Sequence, residues 1–242
     1  MFYYLVTPIA AYNIILIAAA VLPAIFLMLK VYQSDRLEKE STQLLWQLVK
    51  AGVLAALLAL VEEKILFAVA GSLLPEESTV YNVILYFVIV AGAEESSKYI
   101  FMRRTTWNHP EFDCQFDGVV YAVFTSLGFA LWENISYVLH YGMSTALVRA
   151  VTAIPGHACF GVFMGVFYGM ARRCAADSES SSEVTKYNVL TLLVPMLLHG
   201  AYDYIATMEE ASGGWYFFAF VALLFFFAFR VTGKSAKEDR YI

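Results

Sequence analysis

The sequence predicts an all-α, polytopic membrane protein, and three observations carry that prediction. Of the 242 residues, 60% are hydrophobic, and the mean hydropathy of +0.62 is too high for an ordinary soluble domain. The apolar residues are gathered into seven runs, each near the roughly 20 residues that a helix needs to cross a bilayer. Lysine and arginine are concentrated in alternate connections between these runs.

The seven apolar runs are the predicted transmembrane helices. In order, they are Ile9–Leu29, Leu44–Val61 (with a possible extension to Ala70), Val80–Ile100, Val119–Leu139, Ala146–Ala171, Val189–Thr207 and Trp215–Arg230. The first run does not have the pattern of a cleavable signal peptide, because its first positive charge, Lys30, follows the apolar stretch. We expect residues 1–242 to form one membrane-embedded domain, since no connection is long enough for a soluble one.

The placement of positive charge predicts the orientation in the bilayer. The basic segments are Lys30–Lys39, Arg103–Arg104, Arg172–Lys186 and Arg230–Arg240. The alternate connections Gly71–Thr79 and Met208–Gly214 contain no lysine or arginine, and Arg149 is the only one near the Tyr141–Thr145 turn. Because lysine and arginine favour the cytoplasmic side, we expect the N-terminus outside and the C-terminus in the cytoplasm.

Composition also limits the partners. There is no basic patch with interleaved aromatic residues, so we expect a lipid bilayer and no nucleic acid around this chain. The three cysteines, Cys114, Cys159 and Cys174, form no CxxC pair and are interpreted as small apolar core residues.

The third run contains the most informative cluster, Ala93-Glu94-Glu95-Ser96-Ser97-Lys98. Ionised groups inside hydrocarbon are costly, so they persist where they are paired or take part in chemistry. On a helix, Lys98 is four residues from Glu94 and three from Glu95, so it can reach either carboxylate. A salt bridge that only ends the helix would fit the same spacing.

Two other runs contain acidic residues. Glu62, Glu63 and Lys64 follow the second run and are interpreted as solvated groups at the outer interface. In the fourth run, Asp117 is interpreted as a helix cap. Glu133 lies inside the apolar stretch, where it either serves the site or bonds to a neighbouring helix.

The fifth run places His157 just after Pro155, which breaks the helical hydrogen-bond ladder one turn away. Gly161, Gly165 and Gly169 follow at spacings of four, on the same face. Small residues in such a stripe let another helix approach closely. His157 is therefore either a site residue or a packing histidine bonded across helices.

In the sixth run, His199 and Asp203 are four residues apart and share a face. The pair can be an imidazole with its orienting carboxylate, or two ligands of one metal.

The predicted depths of these side chains in the bilayer support their convergence at one site. With a rise of about 1.5 Å per residue, Glu94, Glu95, Glu133, His157 and His199 all lie within roughly 10 Å of the centres of their runs. Three carboxylates and two imidazoles could then meet at one buried site.

Carboxylates and imidazoles without an obvious serine or cysteine nucleophile indicate chemistry based on activated water. A glutamate can act as general base, and a histidine can stabilise an oxyanion or bind a metal. The candidate ligands for Zn²⁺ or another divalent metal are Glu95, Glu133, His157, His199 and Asp203. No HExxH motif is present, so the sequence leaves metal-dependent and purely glutamate-based hydrolysis open.

Four motifs occur in order on successive runs, and together they are specific. They are EExxK (Glu94, Glu95, Lys98), FxxxE (Phe129, Glu133), the His157 segment and HGxxD (His199, Gly200, Asp203). Over about Val80 to Thr207 this pattern resembles the PrsW family of intramembrane proteases. It is also similar to the wider group of CAAX prenyl endopeptidases, in which the second motif commonly ends in histidine and the last in asparagine. Glu133 and Asp203 at those positions favour the PrsW family.

The resemblance implies proteolysis of a membrane-anchored substrate, of the anti-sigma factor type, in a bacterial plasma membrane. We interpret Glu94 or Glu95 as the group that activates water and Lys98 as the group that holds the pair. His199 would bind the oxyanion or a metal with Asp203 behind it, and the remaining predicted site residues are His157 and Glu133. The alternatives are a proton-coupled transporter or channel that uses these groups as a relay, and a non-catalytic scaffold whose polar groups join helices.

Overall fold

The computed structural model describes residues 8–75, 78–178, 180–208 and 214–242. Within those ranges the chain is all-α, as predicted, and the one β-bridge joins Cys114 to Tyr241. The helices are α1 (Pro8–Ser34), α2 (Thr42–Leu73), α3 (Thr79–Val83), a π-helical segment (Ile84–Val90), α4 (Ala91–Thr106), α5 (Asp117–Tyr141), α6 (Met143–Val151), α7 (Ala153–Ala176), α8 (Ser181–Thr207) and α9 (Trp215–Lys237).

Six helical stretches are long and apolar enough to cross a membrane: Ala11–Ser34, Thr42–Leu73, Asp117–Tyr141, Met143–Ala176, Ser181–Thr207 and Trp215–Lys237. The third predicted run, Val80–Ile100, is not among them. It is nevertheless helical throughout, as α3, the π-helical segment and α4. Met1 and parts of the Gly71–Thr79 and Met208–Gly214 connections, on which the predicted orientation depends, lie outside the described residues.

Helix α5 is the centre of the bundle and packs against α1, α2 and α7. Its contact with α2 is close because two glycines face each other's helix. A Cβ atom added to Gly52 would lie 2.1 Å from the carbonyl oxygen of Thr125, and one added to Gly128 would lie 2.4 Å from that of Val49. The backbones of α2 and α5 therefore meet with no side chain between them, which brings the carboxylates of α2 towards α5.

The glycine stripe of α7 faces α5, which confirms the prediction that a helix approaches closely there. A Cβ atom added to Gly165 would lie 2.4 Å from the Gly118 carbonyl oxygen. One added to Gly169 would lie 2.1 Å from the carbonyl oxygen of Gln115, just before α5. This contact fixes His157, on the same helix, relative to α5.

The bundle has two distinct ends. At the tail end, defined by residues 35–41, 107–116 and 238–242, the C-terminal residues pair with the connection before α5: the Gln115 amide donates to the Arg240 carbonyl oxygen at 3.0 Å. At the cavity end, defined by Leu74, Ser78, Gly142 and Met208, the helices leave an open space. Asp117 lies at the tail end, and its carboxylate accepts hydrogen bonds from the preceding amides of Asp113 and Cys114, so it does not cap α5 as predicted. All three cysteines are buried, as expected.

Candidate active site

The Lys98 ammonium is the focus of the candidate site. Its Nζ atom donates to Glu94 Oε2 at 3.2 Å and to Glu95 Oε1 at 2.7 Å, and it lies 3.1 Å from His157 Nδ1. The ring of Phe129 covers it at 4.1 Å. Lys98 is fully buried, so its charge is balanced by the two carboxylates rather than by water.

Glu95 connects Lys98 to His199. Glu95 Oε1 lies 2.8 Å from His199 Nδ1, while the other ring nitrogen, Nε2, lies 3.3 Å from Asp203 Oδ2 and 3.9 Å from Glu94 Oε2. Each nitrogen of His199 therefore faces a carboxylate oxygen, and both can donate only when the ring carries two protons. Glu95 is fully buried behind the imidazole, whereas the Asp203 side chain is 26% exposed on its cavity side.

His157 forms the second imidazole of the site. Lys98 can only donate, so Nδ1 of His157 accepts from it and Nε2 carries the proton that is donated to Glu133 Oε2 at 2.8 Å. The Arg149 guanidinium lies 3.1 Å from the same Glu133 oxygen. Arg149 is held in turn by Asn134, whose Oδ1 accepts from Arg149 Nε at 2.8 Å.

The helix backbones explain why these side chains meet. Glu94 and Glu95 lie near the start of α4, just after the π-helical segment, and α8 packs closely against that segment at Gly200. A Cβ atom at Gly200 would lie 2.6 Å from the Phe87 ring, so only glycine lets α8 approach there. The neighbouring His199 thereby comes within hydrogen-bond distance of Glu95.

The cluster borders a cavity of about 610 Å³. The acidic and histidine side chains that line it are Glu63, Glu94, Glu133, His157, His199 and Asp203. Glu95 and Lys98 lie behind this lining. The lining residues belong to the halves of their helices nearest the cavity end, and aromatic side chains from Tyr86, Trp132 and Tyr137 form part of the wall. The predicted site residues therefore form one connected cluster, with Glu94 at the cavity and Glu95 behind it.

Two residues near the site were not expected there. Glu63 lines the cavity, and the neighbouring Glu62 accepts a hydrogen bond from Ser97 at 3.0 Å, because α2 continues to Leu73. The interpretation of Glu62 and Glu63 as solvated interface groups is therefore wrong. Glu63 follows the buried residues Ala56 and Ala59 at helical spacings of seven and four, a signal that the sequence contains.

Arg149 is the other unexpected residue. It is the lone positive charge near the Tyr141–Thr145 turn, at the start of the fifth predicted run, and it is paired with Glu133 in the structure. A basic residue that breaks an otherwise consistent charge pattern was the available signal for this role.

A helical membrane bundle with buried glutamate, histidine and lysine side chains beside a cavity has the parts of an intramembrane hydrolase that activates water. The sequence comparisons identify it further. The sequence model of the family described as PrsW family intramembrane metalloprotease matches residues 40–231. The chain belongs to the PrsW family of intramembrane proteases and is a multi-pass membrane protein.

Several bacterial relatives carry the name Protease PrsW. The protein from Geobacillus kaustophilus is 32% identical over 222 residues, which cover 92% of each chain. That from Oceanobacillus iheyensis is 33% identical over 78% of this chain and 82% of its own. That from Bacillus subtilis is 39% identical over 59% of this chain, a match that spans 62% of the Bacillus protein. No solved structure matches the chain significantly.

The family description implies a metal, and the donor atoms here fit one in chemistry and spacing. Glu94, Glu95 and His157 each offer one ligand atom, and these atoms lie within 4.8 Å of one another. Oxygen and imidazole nitrogen ligands of this kind suit Zn²⁺ and similar divalent ions. Lys98 Nζ contacts all three residues, so the ammonium and a metal ion would compete for one position. The other predicted ligands, Glu133, His199 and Asp203, surround this group by contacting His157, Glu95 or each other.

Proposed function

We propose that this protein hydrolyses a peptide bond of a membrane-anchored protein, with Glu94 as the general base. The observation that carries the proposal is the position of Glu94, whose side chain is 9% exposed and borders the cavity while its Oε2 atom accepts from Lys98. A base must reach both a water molecule and the substrate, and Glu94 has that access whereas the fully buried Glu95 does not.

The chemical steps follow from the residues at the cavity wall. Glu94 takes a proton from water as the water oxygen attacks the peptide carbonyl carbon. The resulting oxyanion is stabilised by a hydrogen bond from His199 Nε2, which lies between Glu94 and Asp203. Glu94 then gives the proton to the amide nitrogen as the carbon–nitrogen bond breaks, so the base is regenerated.

The buried side chains hold Glu94 and His199 in position. Lys98 holds both carboxylates, and Glu95 accepts from His199 Nδ1, which fixes the orientation of the ring. His157, Glu133 and Arg149 form a second chain of contacts that holds the other side of Lys98. Buried, mutually bonded groups of this kind keep the site in one geometry before the substrate arrives.

If a divalent metal takes part, Glu94, Glu95 and His157 would hold it. Such an ion would supply Lewis-acid polarisation of the peptide carbonyl and would make a bound water more acidic. Its presence would leave the role of His199 unchanged, because the histidine reaches the cavity through Nε2.

We further propose the complete topology as one membrane domain with seven crossings, with the helical stretch 79–106 as the additional one. The N-terminus would lie outside and the C-terminus in the cytoplasm. In this orientation the cavity end faces outward, which supports cleavage near the extracytoplasmic surface. The substrate that the PrsW resemblance favours is an anti-sigma factor with a single membrane anchor.

The proposed function is tested by the variant Glu94→Gln. General acid–base help contributes about 10²–10⁴-fold, so we expect the cleavage rate of a membrane-anchored substrate in proteoliposomes to fall by at least about a hundredfold. Thermal unfolding should change less than in Glu95→Gln, because Glu94 borders the cavity and Lys98 keeps its shorter contact with Glu95 at 2.7 Å.

The matched control is Glu183→Gln, a carboxylate exposed on α8 and paired with Lys186, which should cleave normally. Normal cleavage by Glu94→Gln would contradict the assignment of the base. A proton-coupled transporter would instead show substrate uptake that follows the pH gradient and no cleavage product.

A further inference from the structure

Three carboxyl groups at the tail end form a buried cluster, which we call the tail cluster: Asp35 after α1, Glu40 before α2, and Asp117 at the start of α5. One oxygen from each lies within 4.8 Å of the other two. Their exposed fractions are 3%, 5% and 2%. None of the three lines the cavity described above.

Several oxygens of the tail cluster have no partner. Both carboxylate oxygens of Asp35, and Oε1 of Glu40, are buried without a hydrogen bond. The backbone amides of Arg36 and Leu37 lie near Asp35, but neither makes a hydrogen bond of ordinary geometry with its carboxylate oxygens. Asp117 Oδ2, by contrast, accepts from the amides of Asp113 and Cys114. A buried carboxylate without partners is costly, so these oxygens point to a missing positive ligand.

Nearby side chains make no hydrogen bond or ion pair with these unpartnered oxygens, although the Lys39 ammonium lies close to Asp35. Lys39 Nζ donates to the backbone carbonyl oxygens of Tyr32 and Asp35. The Tyr121 hydroxyl lies 3.1 Å from Glu40 Oε2 and 2.8 Å from the Glu111 carbonyl oxygen, and its one proton serves one of them. In the described part of the chain, no ion pair within 4.0 Å reaches the three carboxylates.

The surroundings add further negative charge. Asp239 in the C-terminal residues caps the Phe116 amide through Oδ1, and its other oxygen is also buried without a partner. The site therefore tolerates its own negative charge poorly.

We propose that Asp35, Glu40 and Asp117 bind one hard divalent cation, Mg²⁺ or Ca²⁺, at the tail end of the bundle. The three donors are all carboxylate oxygens, which these ions prefer. Oxygens on opposite sides of a Ca²⁺ ion are about 4.6–5.2 Å apart, twice the usual bond length, and those around Mg²⁺ are closer, so the observed spacing suits either ion. The cation joins the α1–α2 connection to the start of α5.

A zinc site is the main competing arrangement, because Cys114 lies in an overlapping group with Asp113 and Asp117. The unpartnered oxygens belong to Asp35 and Glu40, which are outside that group. The hard-cation site therefore accounts for the buried charge and a cysteine site does not.

The test uses the full chain purified in detergent and treated with EDTA. Mg²⁺ and Ca²⁺ are then added separately, and binding is measured by titration calorimetry and by thermal unfolding. At about 100 times the dissociation constant, a single site should raise the melting temperature by roughly 5–10 °C. Asp35→Asn and Glu40→Gln should each weaken binding at least tenfold and lose the rise, while Glu183→Gln should behave like the unmodified protein.

The variants remain informative in the presence of EDTA. Because each replaces a buried carboxylate that has at least one oxygen without a donor by an amide that can donate to its acidic neighbours, both should unfold at or above the temperature of the unmodified protein without metal. Glu94→Gln should keep the response to Mg²⁺ or Ca²⁺, which separates this site from the hydrolytic one and needs no cleavage assay. The proposal is overturned if the unmodified protein shows no saturable binding, if Glu94→Gln abolishes it, or if only Zn²⁺ binds and Cys114→Ser removes it.

Discussion

The two acidic clusters of this molecule differ in how their charge is balanced. At the candidate active site, Glu94 and Glu95 face Lys98, and Glu133 faces a histidine and an arginine. In the tail cluster, Asp35 and Glu40 have buried oxygens to which no described side chain donates a hydrogen bond. Even at the candidate active site the charge balance is incomplete, since Glu95 Oε2 is buried without a hydrogen-bond partner.

This difference separates two ways to keep carboxylates inside a membrane protein. A covalently attached cation such as Lys98 fixes the geometry permanently, which suits a site whose groups must be ready before the substrate binds. A cluster without an internal cation depends on a proton or a bound ion, so its stability varies with the surrounding solution. The contrast leads to three predictions, for variants that change the cation Lys98, the close packing of α7, and the partly exposed carboxylate of Asp203.

The largest effect is expected for Lys98→Met, which removes the internal cation and nearly preserves side-chain length. Breaking one partner of a buried ion pair costs about 3–5 kcal/mol, so the melting temperature should fall clearly and cleavage should be lost. The variant should also bind Zn²⁺ or Mn²⁺ more tightly than the unmodified protein, because the competing ammonium is gone. Added metal should then restore part of the lost melting temperature.

Lys186→Met is the matched control, since Lys186 pairs with Glu183 on the surface and such pairs contribute about 0–1 kcal/mol. Unchanged metal affinity in Lys98→Met would show that the ammonium and a metal do not share a position. In that event the site would hold its metal, if any, nearer His199 and Asp203.

A smaller effect is expected from substitutions in the glycine stripe of α7, where the helix packs against α5. In Gly169→Ala the new methyl group meets the backbone carbonyl of Gln115 at 2.1 Å, and backbone cannot turn aside. In Gly161→Ala it meets the Ser126 hydroxyl at 2.9 Å, although the Ala122 carbonyl at 3.0 Å is also tight. We expect Gly169→Ala to lower the free energy of unfolding by about 1–3 kcal/mol, and by more than Gly161→Ala does.

Chemical denaturation of both variants in detergent would measure this order. The measured order also tests an expectation from the sequence. Judged by position along the helix alone, Gly169 lies near the end of the span and would be the more tolerant residue. Equal stability of the two variants would indicate that the connection before α5 moves to accommodate the methyl group.

Sequence periodicity predicted several of the side-chain contacts at the candidate active site. Helical spacing correctly paired Lys98 with Glu94 and Glu95, and His199 with Asp203, because residues three or four apart share a face. It did not reveal that Glu95 also binds His199, since that contact depends on the close crossing at Gly200. The run Glu62-Glu63-Lys64 resembled a helix end, so Glu62 and Glu63 were interpreted as solvated groups although an extension of the second run to Ala70 was considered.

The tail cluster was beyond the reach of such reasoning. Asp35 and Glu40 lie in a connection without helical periodicity, and their proximity to Asp117 arises only when α1, α2 and α5 are packed together. The cap expected at Asp117 was wrong for the same reason, because its carboxylate bonds to the folded connection before the helix. The sequence alone therefore predicts charged pairs within one helix better than clusters assembled from several connections.

The smallest effect is expected for Asp203→Asn. Both Asp203 and Glu95 contact His199, but the Asp203 side chain is 26% exposed and its oxygen is 3.3 Å from Nε2, whereas Glu95 is fully buried at 2.8 Å from Nδ1. Water can replace the exposed carboxylate in part, so Asp203→Asn should lower the cleavage rate only about 10–100-fold, the usual loss for a group that orients another. Glu95→Gln should lower both the rate and the melting temperature, because it leaves Lys98 and His199 with one fewer charge partner inside the bundle. Parallel rate and unfolding measurements distinguish the two residues. If Asp203→Asn were the more damaging change for both quantities, the carboxylate at the cavity rather than the buried one would be the group that holds His199, and the order of roles proposed here would be reversed.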